Sequence, residues 1–253
     1  GSFEDTINLG GILHTAVGEF DGFAVAHDQA GNFLWGRTWG SLGTDSCPSV
    51  AVDSSDNVYL VGHFGADIIF DPTAPPAINQ GLSDAYLLKL DETGTYITHS
   101  AWGSSGHDVL TGISSNPTGG IHACGYISGT VDFGTVVLTP TGTYDGILLG
   151  LNPLGGVNWG TALSSSSSSS ANSVATFDDG DAAIAGTFVG SLDAGTGPVP
   201  AVGSNDLFVV RYPYAAAVVT PVWEHITGSI GGDVGICLAT DSFGDCALSA
   251  WAQ

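Results

Sequence analysis

Short runs in which apolar and polar residues alternate recur along the whole chain, and most are bounded by Gly, Asn, Asp or Ser. Alternation with a period of two residues predicts β-strands that bury one face, and the bounding residues favour turns. The hydrophobic pattern therefore predicts an all-β fold built from antiparallel strands.

One pattern of roughly 62 residues occurs four times. Each copy starts at an Asp that opens an apolar run, and the runs read DGFAVAHD, DAYLLKLD, DGILLGLN and DLFVVRYP, beginning at Asp21, Asp84, Asp145 and Asp206. The four anchors are 63, 61 and 61 residues apart. Repetition at such a period indicates stacked supersecondary units. Units of about four strands that close on themselves indicate β-propeller blades, because radial repetition leaves few exposed sheet edges.

The two ends of the chain complement each other. Three copies end in GHFGADIIFD, GYISGTVDFG or GTFVGSLDAG, and the fourth reaches the C-terminus before such a segment. The missing pattern occurs in GSFEDTINLG at Gly1–Gly10. We therefore expect a four-bladed propeller whose ring is closed by the N-terminal strand, with Thr6–Leu9 in the last blade. The alternative is half of a larger propeller.

This organisation predicts a single domain over residues 1–253, and 43% hydrophobic residues suffice for a sizeable core. Its repeats cover about 21–82, 83–143, 144–204 and 205–253, and residues 1–20 complete the last one. No apolar run approaches the roughly 18 residues of a membrane span, and no signal peptide is present, so we expect a soluble, mature or trimmed chain without membrane insertion.

The third copy carries seven serines, Ser164–Ser170, where the others read GSLGTD, GSSGHD or GSIGGD. Fifteen residues separate Trp159 from Val174, as they separate Trp35 from Val50, so the tract adds no length. A structural turn is the favoured interpretation, and a modified or functional tract is the alternative.

The charge balance excludes one class of partner. Three basic residues accompany 25 acidic ones, which gives a formal net charge of -22. Phosphate backbones and anionic lipid attract the opposite charge, so nucleic acid is not an expected partner.

The four anchor Asp residues are the first candidates for a site. They could line a central channel and hold calcium, which takes oxygen ligands. Repetition fits a structural role better, because an Asp at a strand start accepts backbone N–H bonds in a turn. A second repeated Asp, at Asp45, Asp108 and Asp233, is replaced by Ser169 in the third copy, which disfavours a metal site there. We predict no metal and no cofactor, with calcium as the minor alternative.

Catalytic motifs are missing from the sequence: it has no GxSxG, HExxH, P-loop or SxxK pattern. Four Glu and seven His lie at unrelated repeat positions. No catalytic residue is predicted, and a channel-centred hydrolase or lyase is the least favoured function.

Aromatic residues offer candidates for ligand contact. Trp35, Trp159 and Trp223 share one repeat position, which favours packing between blades. Ligand-binding candidates on an exposed face are Trp39, Trp102, His63 and Tyr126, because such side chains combine an apolar body with a polar tip.

Four cysteines, at Cys47, Cys124, Cys237 and Cys246, occupy different repeat positions without zinc-site spacing. If Val52 pairs with Val58, the equivalent hairpin places Cys246 opposite Thr240 and Cys237 opposite Ser249. Buried thiols are favoured, and a bridge between blades is the alternative.

Taken together, D-[GA]-F-x-[AV]-x-x-D-x-x-G-x-x-x-W, GxxGxD and AVDSSDNVYLVGHF resemble the bacterial β-propeller repeat of secreted and surface proteins, especially variants with GSFxGTVDFG. The resemblance covers essentially the whole chain. It implies a non-catalytic, secreted or cell-surface module with a structural or adhesive role. A carbohydrate-binding propeller is the alternative. A monomeric ring is the favoured assembly, and self-assembly by strand exchange between copies and a half-propeller dimer are the alternatives. The Ser tract and the presence of only four copies depart from the family pattern.

Overall fold

The computed structural model describes residues 1–116, 118–214 and 220–252, and the described chain is all-β, as predicted. Its strands, in chain order, are β1 (Ser2–Phe3), β2 (Thr6–Leu9), β3 (Ile12–Thr15), β4 (Asp21–His27), β5 (Phe33–Trp39), β6 (Ser46–Val52), β7 (Val58–Phe64), β8 (Asp84–Leu90), β9 (Tyr96–Trp102), β10 (Asp108–Ser115), β11 (Ile121–Ile127), β12 (Val131–Asp132), β13 (Val137–Leu138), β14 (Asp145–Leu151), β15 (Val157–Ser165), β16 (Ser168–Thr176), β17 (Ala182–Val189), β18 (Ser191–Asp193), β19 (Val199–Pro200), β20 (Asp206–Tyr212), β21 (Trp223–Thr227), β22 (Asp233–Thr240) and β23 (Cys246–Ala252). Within the described residues no helix is long and apolar enough to span a membrane.

Three complete antiparallel blades form the middle of the molecule. They have the strand orders β6-β7-β8-β9, β10-β11-β14-β15 and β16-β17-β20-β21, and the second sheet continues into β18 and β19. First strands of successive blades lie side by side, β6 with β10, β10 with β16 and β16 with β22. This radial stacking of four-stranded sheets confirms the predicted propeller architecture.

Blade boundaries do not coincide with the sequence repeats. Each anchor Asp opens the third strand of a blade, so one repeat supplies the second half of one blade and the first half of the next. Two half-blades therefore flank the complete ones. The N-terminal half consists of β4 and β5 with β1 at the edge, and the C-terminal half is the β22–β23 hairpin.

The predicted placement of Thr6–Leu9 in the last blade is wrong. These residues form β2 and pair with β3, Leu9 opposite Ile12, through a two-residue turn at Gly10 and Gly11. Both glycines have positive φ, 61° and 94°, which a tight hairpin turn of this kind requires. The strand at the very N-terminus, β1, pairs with β4, and the only sheet partner of β23 in the described chain is β22. Residue 253, the end of the predicted last repeat, lies outside the described residues.

The core consists of layers between neighbouring blades. The third strands β8 and β14 are buried along their whole length, because each is covered on both faces. One layer joins Tyr59 and Leu87 of one blade to Leu110 and Ile147 of the next. Fully burying a side chain such as Leu contributes about 1.5–3 kcal/mol, so these layers are the main force that holds successive blades together.

The repeated Trp position also connects blades. Trp35 on β5 donates its Nε1–H to the backbone oxygen of Glu92, 2.8 Å away in the third-to-fourth-strand turn of the next blade. Trp159 and Trp223 pack against the apolar layers of their own regions.

Candidate functional site

The repeated Asp residues gather at one end of the blades, where the first and third strands of each blade begin. We call this the loop end. Each anchor Asp is buried, and its carboxylate accepts a backbone N–H bond of 2.7–2.9 Å from the residue four positions earlier. The geometry thus gives every anchor its own local backbone donor, which is what a structural role requires. The four anchors are Asp21, Asp84, Asp145 and Asp206.

A glycine directly after the fourth strand of the same blade makes room for three of these carboxylates. A Cβ at Gly40 would overlap the carboxyl group of Asp21, and Gly103 and Gly228 stand in the same relation to their anchors. The first position of the GSxGxD motif is therefore a glycine because the carboxylate of the anchor Asp in the same blade occupies the space that a side chain would need. Sequence reasoning did not connect the two positions, which lie about twenty residues apart in each copy.

The second repeated Asp connects each blade to its neighbour. Asp45 and Asp108 lie at the start of first strands and accept bonds from the backbone N–H and the hydroxyl of the serine four residues earlier. The backbone N–H of Asp45 also donates to the backbone oxygen of Phe20 in the preceding blade, at 2.8 Å, and the N–H of Asp108 donates in the same way to the backbone oxygen of Ser83. We call this contact between neighbouring blades the blade junction. It recurs at Asp233, whose N–H donates to the backbone oxygen of Asn205 at 2.9 Å.

The Ser tract forms the same junction with hydroxyl groups. It comprises the end of β15, a turn and the start of β16, in place of the Gly-rich turn, as predicted. Ser169 keeps the backbone bond to the preceding blade, 3.0 Å to the Tyr144 oxygen. Its hydroxyl accepts from the Gly146 N–H at 2.9 Å and donates to the Leu163 oxygen at 2.8 Å.

One junction carboxylate, Asp45, and one anchor carboxylate, Asp84, have raised pKa values. Burial raises the pKa of Asp45 to about 6 despite its hydrogen bonds. Burial also raises the pKa of Asp84 to about 6, and the nearby Asp108 carboxylate adds to the shift. The Oδ1 atom of Asp84 has no hydrogen-bond partner among the described residues, which explains why its charged form is poorly stabilised.

The carboxylates of the loop end are not brought together into one cluster. Each anchor Asp lies in a separate blade against its own donors, and the described part of the chain has no group of three His, Cys, Asp or Glu arranged to hold a metal. The calcium alternative therefore rests on the sequence pattern alone.

The two tryptophans expected on an exposed face are buried, so that expectation is wrong for them. Trp39 is 4% exposed and donates its Nε1–H to the hydroxyl of Tyr86 in the next blade, at 3.0 Å. Trp102 is 8% exposed, and its ring centroid lies 5.6 Å from that of Phe133. Both rings fill space between strands and cannot offer an open stacking face.

The other two candidates, His63 and Tyr126, are partly exposed at the ends of second strands. The His63 Nδ1 lies 2.8 Å from the Ser46 hydroxyl, and burial lowers the His63 pKa. The ring of Tyr126 lies 5.2 Å from that of Tyr144, and burial raises the Tyr126 pKa. Their ligand-binding role stays a prediction.

Tyr126 and Tyr144 line an open cleft of about 490 Å³ at the loop end. The other polar side chains that line it are His107, Ser128, Thr143 and Ser170. Sequence reasoning missed Tyr144 and His107, although the first immediately precedes an anchor Asp and the second immediately precedes a junction Asp. Their place next to a repeated Asp is the signal that could have found them.

Large apolar side chains project from the loops of the same end. The exposed fractions are 82% for Leu42, 62% for Leu82, 68% for Val202 and 91% for Ile230. All four lie within a few residues of a buried junction or anchor Asp, so hydrogen bonds to these carboxylates hold the loops that carry them.

The three Lys and Arg side chains all make intramolecular contacts, so the charge left on the surface is predominantly acidic. Arg37 pairs with Asp71 at 2.9 Å, and Arg211 pairs with Asp181 at 2.9 Å. Lys89 is buried and donates to the Pro153 oxygen of the next blade at 2.6 Å. These contacts take up the three cations of a chain with 25 acidic residues.

The four cysteines are free: Cys47 and Cys124 are buried, Cys246 is partly buried and Cys237 is exposed. The predicted cross-strand neighbours are confirmed, since Thr240 lies opposite Cys246 and Ser249 lies opposite Cys237.

Comparison with known proteins adds to the fold assignment. No protein-family model matches the chain. An uncharacterized WD repeat-containing protein of Acanthamoeba polyphaga mimivirus is 30% identical over 151 residues, which is 55% of this chain and 11% of that protein. The chain thus spans about a tenth of the length of this curated relative. The similarity agrees with the blade architecture and does not identify the bacterial surface repeat in particular.

Proposed function

We propose that this chain is a non-catalytic protein-interaction module that acts on the cell surface or after secretion, in a structural or adhesive role. The observation that carries the proposal is the set of exposed apolar side chains at the loop end, Leu42, Leu82, Val202 and Ile230. Apolar side chains presented by loops on a rigid scaffold are typical of binding surfaces.

The blade junctions support this function physically. Buried carboxylates hold the loops in a fixed geometry, so binding would cost little ordering of the chain. The acidic surface favours a partner with basic residues around an apolar contact. The relative with WD repeats agrees with an interaction role, since it belongs to the same architectural class.

The test compares variants at the two ends of the blades. The loop-end variant carries Leu42→Ser, Leu82→Ser and Ile230→Ser, and the control carries Leu154→Ser, an exposed leucine in a turn at the opposite end. We expect the loop-end variant to capture extracellular proteins at least about tenfold less in a quantitative cross-linking assay, because loss of a few central anchors removes most binding energy. Equal capture by both variants would refute the proposal.

A second candidate function is carbohydrate binding in the cleft between Tyr126 and Tyr144. Two tyrosine rings beside the hydroxyls of Ser128 and Ser170 combine stacking faces with hydrogen-bonding groups. A glycan array with wild type, Tyr126→Ala and Tyr144→Ala tests it. Signals that both variants lose would support the lectin function, and an array without wild-type signal would exclude it for the glycans tested.

A further inference from the structure

A groove of about 460 Å³ lies between the N-terminal half-blade and the first complete blade. Val25 and His27 of β4 line one side, and Val50 and Val52 of β6 line the other. We call it the β4–β6 groove. It is separate from the loop-end surface proposed above for partner binding.

The β6 side of the groove lacks a neighbour that every other blade has. Val50 occupies the repeat position of Ile113, Val174 and Leu238, as the hairpin pairings show. Those three side chains are 6% exposed, because the first strand of the preceding blade lies beside them, whereas Val50 is 57% exposed. The face of β6 is therefore shaped for another first strand.

The β4 side of the groove is an open sheet edge. β4 pairs with β5 along nearly its whole length but with β1 only at Asp21 and Gly22. Phe23 exchanges backbone bonds with Gly1, at 2.9 and 3.0 Å, so its N–H and C=O point toward this edge. Because such groups alternate along an antiparallel strand, those of Val25 and His27 also point there, and the described chain has no strand opposite them. An unpaired edge is a template for another strand.

The β22–β23 hairpin corresponds to the first and second strands that the N-terminal half-blade lacks in the described chain. In a complete blade the first strand pairs with the second and the second with the third, as in β6-β7-β8. β22 and β23 are a first and a second strand, and no third strand pairs with them in the described part of the chain. β23 and β7 both have seven residues, and so do β4 and β8. The β7–β8 register, with Val58 opposite Leu90, places Cys246 opposite His27 and Leu248 opposite Val25.

We propose that the β4–β6 groove of one copy takes the β22–β23 hairpin of a second copy. Residues 246–249 pair with 24–27, Gly1 keeps its bonds to Phe23, and β22 covers Val50. The chain's own hairpin leaves Val50 uncovered in this structure, which favours a second copy as the occupant.

Mutual exchange closes the assembly. Each copy supplies three complete blades and two complementary halves, so two copies joined head to tail at both ends form a ring with the equivalent of eight blades. Propellers have about four to eight blades, so this ring lies within the known range. The contact is heterologous, and it yields a closed particle only if the rotation closes after two copies.

A disulfide test uses the native Cys246. In the proposed register His27→Cys creates a pair with Cα atoms about 5.5 Å apart, within disulfide range. Mild oxidation should link two chains into a species of twice 25.6 kDa, and adding Cys246→Ser should abolish it. Val137→Cys is the matched control, because Val137 is 58% exposed and lies outside the groove. No more dimer than this control would overturn the proposal, and so would a bond within one chain of 25.6 kDa, which would assign the groove to the chain's own hairpin.

Light scattering tests the assembly without a cross-link. Wild type should have twice the chain mass, and Val25→Pro and Val50→Asp should each return it to 25.6 kDa. Both positions are exposed and proline is tolerated on an edge strand, so the variants should fold, which circular dichroism checks. A wild-type mass of 25.6 kDa over a hundredfold concentration range would overturn the proposal, as would a mass that grows without limit, since that indicates a filament. Leu82→Ser should leave the mass unchanged, so this result is independent of loop-end binding.

Discussion

Asp84 and Asp145 occupy the same repeat position, yet their carboxylates are satisfied very differently. Asp145 accepts bonds from the backbone of Thr141, Gly142 and Ser165 and from the Thr141 hydroxyl. Asp84 accepts one from Gln80, and its Oδ1 has no partner among the described residues. Equivalent residues therefore differ in what their charge contributes to stability.

Asparagine substitutions test this difference. Asp145→Asn should lower the free energy of unfolding by about 1–3 kcal/mol, because the side-chain NH2 of Asn would face groups that donate hydrogen bonds to the Asp145 carboxylate. Asp84→Asn should raise the melting temperature by a few degrees at pH 8, since it removes a buried charge whose pKa is about 6. The gain should shrink as the pH falls from about 6 toward 4, because the folded wild type takes up a proton before the unfolded chain does. Thermal melts of both variants at pH 8 and pH 5 check the prediction, and equal losses at both sites would contradict it.

Acid sensitivity should come partly from His122. This side chain is fully buried, its Nε2 has no partner in the described structure, and burial lowers its pKa to about 4. In the unfolded chain His122 is protonated near pH 6.5, whereas in the native state it stays neutral until about pH 4. This residue therefore lowers the free energy of unfolding as the pH falls from about 6.5 toward 4. His122→Phe should reduce that loss, measured by urea unfolding at pH 7.5 and pH 5. An unchanged pH dependence would refute the assignment.

Gly40 should not tolerate a side chain. Gly40→Ala places a methyl group on the carboxylate of Asp21, and we expect a loss of at least about 2 kcal/mol in the free energy of unfolding. Combining it with Asp21→Ala removes the overlap, so the double variant should lose clearly less than the sum of the single changes. Strictly additive losses in a denaturant series would show that the two residues are independent.

Trp39 should be required for stability rather than for ligand contact. Trp39→Ala removes a buried ring and leaves the Tyr86 hydroxyl without its donor, which should cost about 3–5 kcal/mol. Phe243→Ala is the control, because Phe243 is 90% exposed in a turn, and it should cost less than about 0.5 kcal/mol. Similar melting temperatures for the two variants would contradict the buried role.

The sequence predicts the features that depend on short-range pattern. The strand type, the blade architecture and the pairing of Val52 with Val58 all follow from alternation and repeat spacing. The burial of Trp39 could not be predicted in this way, because its partner Tyr86 lies 47 residues away in another blade. The hairpin of Thr6–Leu9 was missed for a different reason: repeat alignment outweighed the local Gly10–Gly11 turn signal.

The candidate site was only partly predictable. Tyr126 was named as a candidate because its side chain combines an apolar body with a polar tip; it lines the loop-end cleft, and its ligand-binding role stays a prediction. Tyr144 and His107 were missed, since their role depends on how two blades meet rather than on any motif in one segment. The exposed tips Leu42 and Ile230 lie inside a motif that sequence reasoning treated only as a turn.

The identical blade junction has a consequence for how such chains evolve. Each junction uses the same backbone bond, from Asp45 to Phe20 and from Asp108 to Ser83, and each joins only adjacent blades. Recombination between equivalent codons can therefore add or delete a unit of 61 residues and recreate every junction without any new type of contact. The junction tolerates even the exchange of carboxylate for hydroxyl at Ser169, so duplicated units are free to diverge in sequence while their geometry is inherited.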